Sequence, residues 1–343
     1  MSENPLDIFE AEEVSPPPPK KRKKRGVLLL AFALVFLLIG GVAGLYLVNL
    51  WRNFDNGVTR VKIASVEEEK QRPANLGKGE NYLLLGSDKR DEEEARLSGV
   101  FGQRSDVMML VHVSADKKSA YVMSFPRDLY VDIPGKGTDR INAALAYGGV
   151  PLTVKTVEQY VGVRIDHVAL IDFHGITGMV DAIGGVDVNV SKTIEAAGYT
   201  FTKGVDHMDG AKALVFVRQR YQYADGDFQR NRNQRELLKA ILAKTLKPET
   251  LANPVAINNL VSELSPYLTI DDGLTTSALV STIFSLRDLR NSSIFYLSVP
   301  HGEPMVGKGG ASVVGTDEAR MDILRKALKD DTMGTYYSQY AGT

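Results

Sequence analysis

From residue 81 onward, short apolar runs separated by polar turns set the rhythm of the chain. "YLLLG" (82–86), "VMMLVHV" (107–113) and "AYVMSF" (120–125) are nearly continuous in apolar residues, the pattern of strands buried on both faces. "PLTVKTVEQYVG" (151–162) opens with proline, spaces its apolar residues at helical intervals and stops at glycine, which predicts a helix. "HVALIDF" (167–173) predicts a strand, "ITGMVDAIGG" (176–185) a short helix closed by glycines, and "VDVNV" (186–190) a further strand. Helical stretches follow at 229–247, 254–265 and 274–289, then a strand at 293–299 and a helix at 316–329. Strands alternating with helices predict an α/β domain over residues 81–332, a central, mostly buried β-sheet with helices on both faces. Residues 51–80 are mixed and charged and are expected to form a stalk, with one strand at 58–66, and residues 333–343 a C-terminal tail.

The pattern before residue 51 is different. Residues 1–19 are acidic and end in "SPPPP", a composition that cannot bury a core. "KKRKKR" (20–25) precedes "VLLLAFALVFLLIGGVAGLYLV" (27–48), which carries no charge. A helix of about 22 residues rises about 33 Å, the thickness of a bilayer's hydrocarbon core. The run is too long for a cleaved signal peptide. It predicts a single transmembrane helix over 26–50, preceding the α/β domain, with residues 1–25 as a disordered cytoplasmic tail held inside by the six basic residues. The α/β domain is then extracytoplasmic, where ATP and nicotinamide cofactors are not expected.

Composition removes several chemistries. Across 343 residues the net charge is −1 and there is no cysteine, so thiolate nucleophiles, disulfides and Cys-type zinc sites are excluded. The five histidines are scattered, and no serine sits in a Gly-x-Ser-x-Gly elbow. "GEPMVGKG" (302–309) imitates a P-loop, but glycine stands where Ser or Thr is required. "SADK" (114–117) has the spacing of a serine–lysine pair and is an ordinary turn between two strands. Nucleic-acid binding is not expected outside the membrane.

What remains is charge at strand ends. "LLLGSD" delivers Asp88 after a buried strand, "RSDVMML" puts Arg104 and Asp106 before one, and "SFPRDL" puts Arg127 and Asp128 after a third. Open α/β sheets build their sites at such ends, and two aspartates there can hold a hard cation through oxygen. The same tripeptides also make good turns and surface ion pairs. In "FVRQRY" (216–221), Arg218 and Arg220 lie about 7 Å apart on one face if extended and diverge if helical. "GDFQRNRNQR" (226–235) concentrates three arginines in ten residues. Asp227 is a good helix N-cap, and Arg230 and Gln234 share a face one turn in, where free backbone amides assist anion binding. Arg232 and Arg235 are expected to point into solvent.

The ordered blocks "GSD", "RSD", "SFPRDL", "RINAALAYGG", "VDAIGGVDV", "MDGAKALVFVRQR" and "DFQRNRNQ" run over about 170 residues and resemble the LytR-CpsA-Psr family of bacterial cell-wall enzymes. Members are membrane-tethered, face the outside of Gram-positive bacteria and transfer a glycopolymer from a polyprenyl-pyrophosphate carrier onto peptidoglycan through a phosphodiester bond. The resemblance implies that Asp88 and Asp106 hold Mg²⁺, with Mn²⁺ as the substitute. It implies that Arg127, Arg218, Arg220 and Arg230, with Gln234, grip the pyrophosphate, supported by Arg104. The catalytic set would be Asp88, Asp106, Arg127 and Arg218. The partners implied are the lipid-linked glycopolymer, the peptidoglycan acceptor and the bilayer. Two departures stand out: Asn233 where the family usually has arginine, and a long spacer at 91–103 between the aspartates. The rival readings are a non-catalytic tethered sensor of polyprenyl phosphates or wall polymers, and a pyrophosphatase that gives water the acceptor's place.

Overall fold

The computed structural model describes residues 44–76, 78–87, 105–219, 226–245, 247–286 and 289–340. The predicted cytoplasmic tail and residues 26–43 of the predicted membrane span lie outside the described residues, as do Asp88, Arg104, the spacer 91–103 and Arg220. Among the described residues no helix is long and apolar enough to cross a membrane. Residues 50–343 form one compact unit.

That unit starts with helical residues 50–57 and continues through β1 (Thr59–Val61), β2 (Glu80–Ser87), β3 (Ser105–Val113), β4 (Ala120–Ser124), β5 (Tyr130–Ile133) and β6 (Gly137–Arg140). Next come α1 (Ala143–Val161), β7 (His167–Asp172), α2 (Phe173–Ala182), β8 (Val186–Val190), β9 (Ile194–Ala196), β10 (Tyr199–Phe201) and β11 (Gly204–Met208). The remainder holds α3 (Gly210–Arg218), α4 (Gly226–Thr245), α5 (Pro254–Leu264), β12 (Leu268–Asp271), α6 (Thr276–Ser285) and β13 (Ile294–Ser298). It closes with β14 (Pro304–Val306), β15 (Ser312–Val314), α7 (Glu318–Asp330) and α8 (Met333–Tyr340).

Seven strands form the central sheet in the order β1-β12-β7-β2-β3-β4-β13. It is mixed: β1/β12, β7/β2 and β4/β13 are parallel, while β12/β7, β2/β3 and β3/β4 are antiparallel. Five members coincide with the apolar runs predicted as strands; β1 is only three residues of the predicted 58–66, and β12 was not foreseen. The strand at 186–190 forms but pairs with β11, outside the central sheet. The helix expected at 151–162 is the second part of α1, which breaks at Gly148 and Gly149, the latter at φ 63°, before Pro151 restarts it. Gly162 ends it in the left-handed conformation at φ 70°.

Alternation along each strand sends successive side chains to opposite faces. Leu83, Met108, Leu110 and Met123 join one buried cluster with residues of α1, α7 and α8. Helix α8 extends this face past residue 332, burying Met333 and Tyr336. On the other face, Val107 and Ile171 pack against a second cluster built from α2, β8, α3 and α4. Helix α3 starts tight against α2: a Cβ on Gly210 would collide with the Thr177 carbonyl, and the Gly210 N–H donates to Asp181 Oδ1 at 2.7 Å. Because β3 is antiparallel to both β2 and β4, the C-terminal ends of β2, β7, β4 and β13 and the start of β3 share one end of the sheet.

Candidate functional site

At that end Ser87, fully buried, pairs with Asp172 on one side and Ser105 on the other. The register slips here: Gly86 faces Val107 and Ser87 faces Ser105, leaving Asp106 as the extra residue of a β-bulge. Bulges re-aim a side chain and increase local twist. Asp106 therefore lies inside β3, not before it as the sequence suggested. Asp88 and Arg104 are outside the described residues, but each directly adjoins one of the paired serines.

The next strand end carries Arg127. The Phe125 N–H donates to the Met108 carbonyl at 2.9 Å, so the chain beyond β4 continues upward beside the start of β3. Arg127 Nε donates to Asp128 Oδ2 at 3.3 Å, and Arg140 Nε lies 3.5 Å from Asp128 Oδ1. One carboxylate thereby braces two guanidinium groups. The Asn142 N–H also reaches the Arg127 carbonyl at 3.4 Å. Sequence reasoning assigned no role to Arg140 or Asn142.

Arg235, expected in solvent, instead crosses to the sheet. Its Nη1 donates to Ser124 Oγ at 2.8 Å and to Ser298 Oγ at 2.7 Å, at the ends of parallel β4 and β13. Burial pushes its pKa down, Arg232 adds to that, and Glu236 opposes it. The signal for this contact, a serine ending each of two strands, has meaning only once the strands are known to be neighbours.

The arginines of the helical region separate by depth. Residues 210–218 are helical, so the extended reading of "FVRQRY" fails for its first half; only at Gln219 does the backbone become extended, with ψ 131°. Arg218 is the exposed last residue of α3. Helix α4 starts at Gly226, which puts Asp227 inside its first turn rather than at the N-cap. Arg230 is 2% exposed and Gln234 is 6% exposed. Such a guanidinium keeps its charge at any physiological pH, so α4 carries a fixed positive charge into the protein.

Asn233, the departure from the family pattern, is itself buried and structural. Its Nδ2 donates to the Phe216 carbonyl at 3.2 Å, and its Oδ1 accepts from Gln229 Nε2 at 2.8 Å. Gln229 Nε2 also lies 3.1 Å from Ser191 Oγ. This relay ties α4 to the last turn of α3, two residues from Arg218.

Below these groups, between the sheet and α2, α3 and α4, lies a cavity of about 210 Å³. Leu84, Met109, Ile171, Met179, Leu237 and Ile241 line it, and among the described residues Gln234 is the one polar side chain in its lining. Gly86, Val107 and Val217 also line it, and they stand two residues before Asp88, one after Asp106 and one before Arg218. An apolar slot thus lies beside the chain positions of Asp106 and Arg218. Among the described residues no group of three or more acidic or histidine side chains is placed to hold a metal ion.

Known proteins resemble this chain in sequence and fold. The chain is 36% identical over 212 residues to the polyisoprenyl-teichoic acid–peptidoglycan teichoic acid transferase TagU of Enterococcus faecalis, covering 61% of this chain and 68% of that protein. It is 36% identical over 242 residues to the probable cell wall biosynthesis protein LcpB of Corynebacterium glutamicum, covering 68% of this chain and 56% of that one. Among solved structures, TagT bound to LI-WTA superposes with a TM-score of 0.59 at 27% identity, covering 80% of this chain and 98% of TagT. B. subtilis TagV gives a TM-score of 0.61 at 25% identity, covering 74% and 97%. The family model matches residues 51–330, and the chain belongs to the LytR_cpsA_psr family.

Proposed function

We propose that this protein transfers a glycopolymer from a polyprenyl-pyrophosphate carrier to peptidoglycan, forming a phosphodiester bond outside the cell membrane. The observation that carries this reading is the apolar cavity whose polar lining residue is Gln234 and whose rim is set by chain neighbours of Asp88, Asp106 and Arg218. An amphiphile with a polyprenyl tail and a doubly charged head fits that division. The relatives' names supply the substrate class, and the predicted anchor supplies the compartment.

In the reaction, the acceptor hydroxyl oxygen attacks the sugar-proximal phosphorus while the bond to the bridging oxygen breaks, and polyprenyl phosphate leaves with that electron pair. The hydroxyl proton passes to a carboxylate, for which Asp88 and Asp106 are the two candidates. Phosphoryl transfer needs positioning and charge neutralisation more than covalent help. Arg230 offers a buried charge to the head group, Arg127 is aimed by Asp128, and Arg218 closes the exposed side. Asp88 and Asp106 would hold Mg²⁺, which when bound neutralises phosphate charge.

The test is transfer from a lipid-linked donor to peptidoglycan by the full-length chain in vesicles. Arg230→Ala and Asp106→Asn should each lower turnover by about 10²-fold or more. Wild-type rates in either variant would refute the assignment. Stoichiometric binding of donor without release of polyprenyl phosphate would make the protein a sensor instead.

A further inference from the structure

The β14–β15 hairpin presents Pro304, Met305 and Val306 to solvent, with Met305 46% and Val306 75% exposed. Its tip, Gly307–Lys308–Gly309–Gly310, includes the segment that imitates a P-loop, and the transfer reaction makes no use of it. Elsewhere, exposed Val205, Val255, Phe284 and Ile323 lie singly on separate elements, while Leu45, Leu47, Val48 and Trp51 share the helical segment 44–57. The hairpin is an apolar strand ending in a glycine-rich tip with a lysine.

The hairpin is fastened beside the candidate site. Val313 is 1% exposed, the Val314 N–H donates to the Asp128 carbonyl at 2.9 Å, and the Lys308 N–H donates to Tyr130 Oη at 3.3 Å. Leu129 bridges Val314 in parallel. The tip precedes β15, so that pairing directs it to the Arg127 side of the bridge.

A second observation says what lies beyond. β1 runs parallel to β12, and β12 is antiparallel to β7. Thr59 is therefore level with Thr269 and Leu170, and the chain preceding it lies at the end of the sheet where β7 and β2 finish. Helical residues 50–57, with Trp51 53% exposed, thus enter the sheet at the site's own end. Their chain comes directly from the predicted membrane span. Indole rings favour the membrane–water interface. The entering chain stands at the β1 edge of the sheet, and the hairpin is fastened to the chain just beyond β4, one strand from the opposite edge.

We propose that the site end of the sheet faces the bilayer and that the β14–β15 tip is a second membrane contact, with Pro304, Met305 and Val306 entering the headgroup–acyl boundary and Lys308 meeting anionic headgroups. This rests on the membrane-tethered reading above. Two contacts on either side of the charged rim hold it at the depth where a lipid-borne head group resides, so the carrier's tail passes from bilayer to cavity without crossing water.

The chain has no cysteine, so Val306→Cys gives a single labelling point for an environment-sensitive fluorophore. Lys118→Cys, in the turn at the opposite end of the sheet, is the control. Full-length protein is reconstituted in phosphatidylglycerol–phosphatidylethanolamine vesicles and its attachment checked by flotation. The label at 306 should brighten about twofold or more and be quenched by nitroxide-bearing lipids, and the label at 118 should do neither. A floating protein whose 306 label behaves like the 118 label overturns the hairpin contact and leaves the tether standing. A protein that does not float overturns both. As a functional check, Met305→Asp/Val306→Asp should lower transfer from vesicle-embedded donor about tenfold and leave transfer from a water-soluble short-prenyl donor unchanged. Equal loss on both donors overturns the proposal.

Discussion

The two faces of the central sheet are built from alternate residues of the same strands and end in different states. On one, Leu83, Leu110 and Met123 are fully sealed in a cluster with Val154 and Val157 of α1 and Leu324 and Leu328 of α7. On the other, Leu84, Met109 and Ile171 border an open slot. The strands are equally apolar on both sides, so their composition does not explain the difference. What differs is the covering helix. Helix α4 brings Gln229, Arg230, Asn233 and Gln234 to buried positions, and the amides of Gln229 and Asn233 bond sideways to Ser191 and the end of α3 rather than downward onto the sheet. One face thus holds the fold's stability, and the other keeps room for a ligand.

The sharpest way to break this comparison uses neighbouring residues on β2. Leu83→Ala should cost about 2–5 kcal/mol, because a sealed site relaxes only partly around the lost volume. Leu84→Ala, which widens an existing cavity, should cost less than about 1.5 kcal/mol. Urea unfolding of the two variants measures both. Equal losses would mean the slot is as well packed as the core and is no binding space.

Next in size is the polar tie that keeps the covering helix off the sheet. In Asn233→Asp the side-chain shape is retained and Gln229 keeps its acceptor, but a carboxylate oxygen replaces the donor facing the Phe216 carbonyl. Two acceptors left facing each other in a buried site should cost about 1–3 kcal/mol. If the tie also places Arg218, the variant raises the KM for donor in the wild-type background and adds nothing in an Arg218→Ala background. Additive losses in that double-mutant cycle would reduce Asn233 to a fold residue.

The sheet faces differ in how far they could be read from sequence. β2, β3, β4, β7 and β13 were legible because strands covered on both sides are written as unbroken apolar runs. β12 and the hairpins β5–β6 and β14–β15 were not, since short strands with polar or mixed residues resemble turns. Helix α3 carried a readable start: Asp209 accepts from the Lys212 N–H at 2.8 Å as its N-cap, yet the two arginines beyond it drew attention to an extended alternative. Around the site, Arg127 and Asp106 could be placed because each adjoins an apolar run within a few residues. Arg235 could not, because its two serines come together only through the parallel pairing of β4 with β13. Local pattern marks strand ends; it does not say which ends become neighbours.

A subtler change fills the slot without touching its polar rim. Ala169 lines the cavity from β7, and Ala169→Leu adds apolar volume where there is space. Unfolding should be unaffected or slightly delayed, since the new methyl groups find room. The KM for a long-chain donor should rise about tenfold, about 1.4 kcal/mol, and that for a short-prenyl donor should not move. A rise for both donors would place the tail elsewhere.

The smallest expected effect comes from two histidines that divide between the faces. His112 shares the strand parity of Met108 and Leu110, on the packed face. It is fully buried, with Nδ1 2.8 Å from Asn81 Oδ1 and Nε2 3.0 Å from Asp331 Oδ1. Burial pushes its pKa down; Asp331 and Asp166 pull it partly back, and Lys117 adds to the lowering. His167 shares the parity of Ala169 and Ile171, on the slot face, and there Asp271, 3.2 Å away, raises its pKa against burial, with help from Asp166 and Glu80. Burial acts to raise the pKa of Asp271, but hydrogen bonds from His167 and the Val168 and Leu274 N–H groups outweigh it and hold the carboxyl low. The two rings therefore respond to acid with opposite signs. The contribution of His112 is complete above its unfolded pKa of about 6.5 and is lost as the pH falls toward its lowered folded value. That of His167 is complete below about 6.5 and is lost as the pH rises through its raised folded value, while Asp271 keeps its own contribution above about pH 4. Between pH 7.5 and 5.5 the two contributions to the wild-type slope oppose one another. His112→Gln should leave a protein that gains stability on acidification, and His167→Gln one that loses it, read as melting temperature against pH. Slopes of the same sign in the two variants would show that the sheet's faces do not differ in how they treat charge.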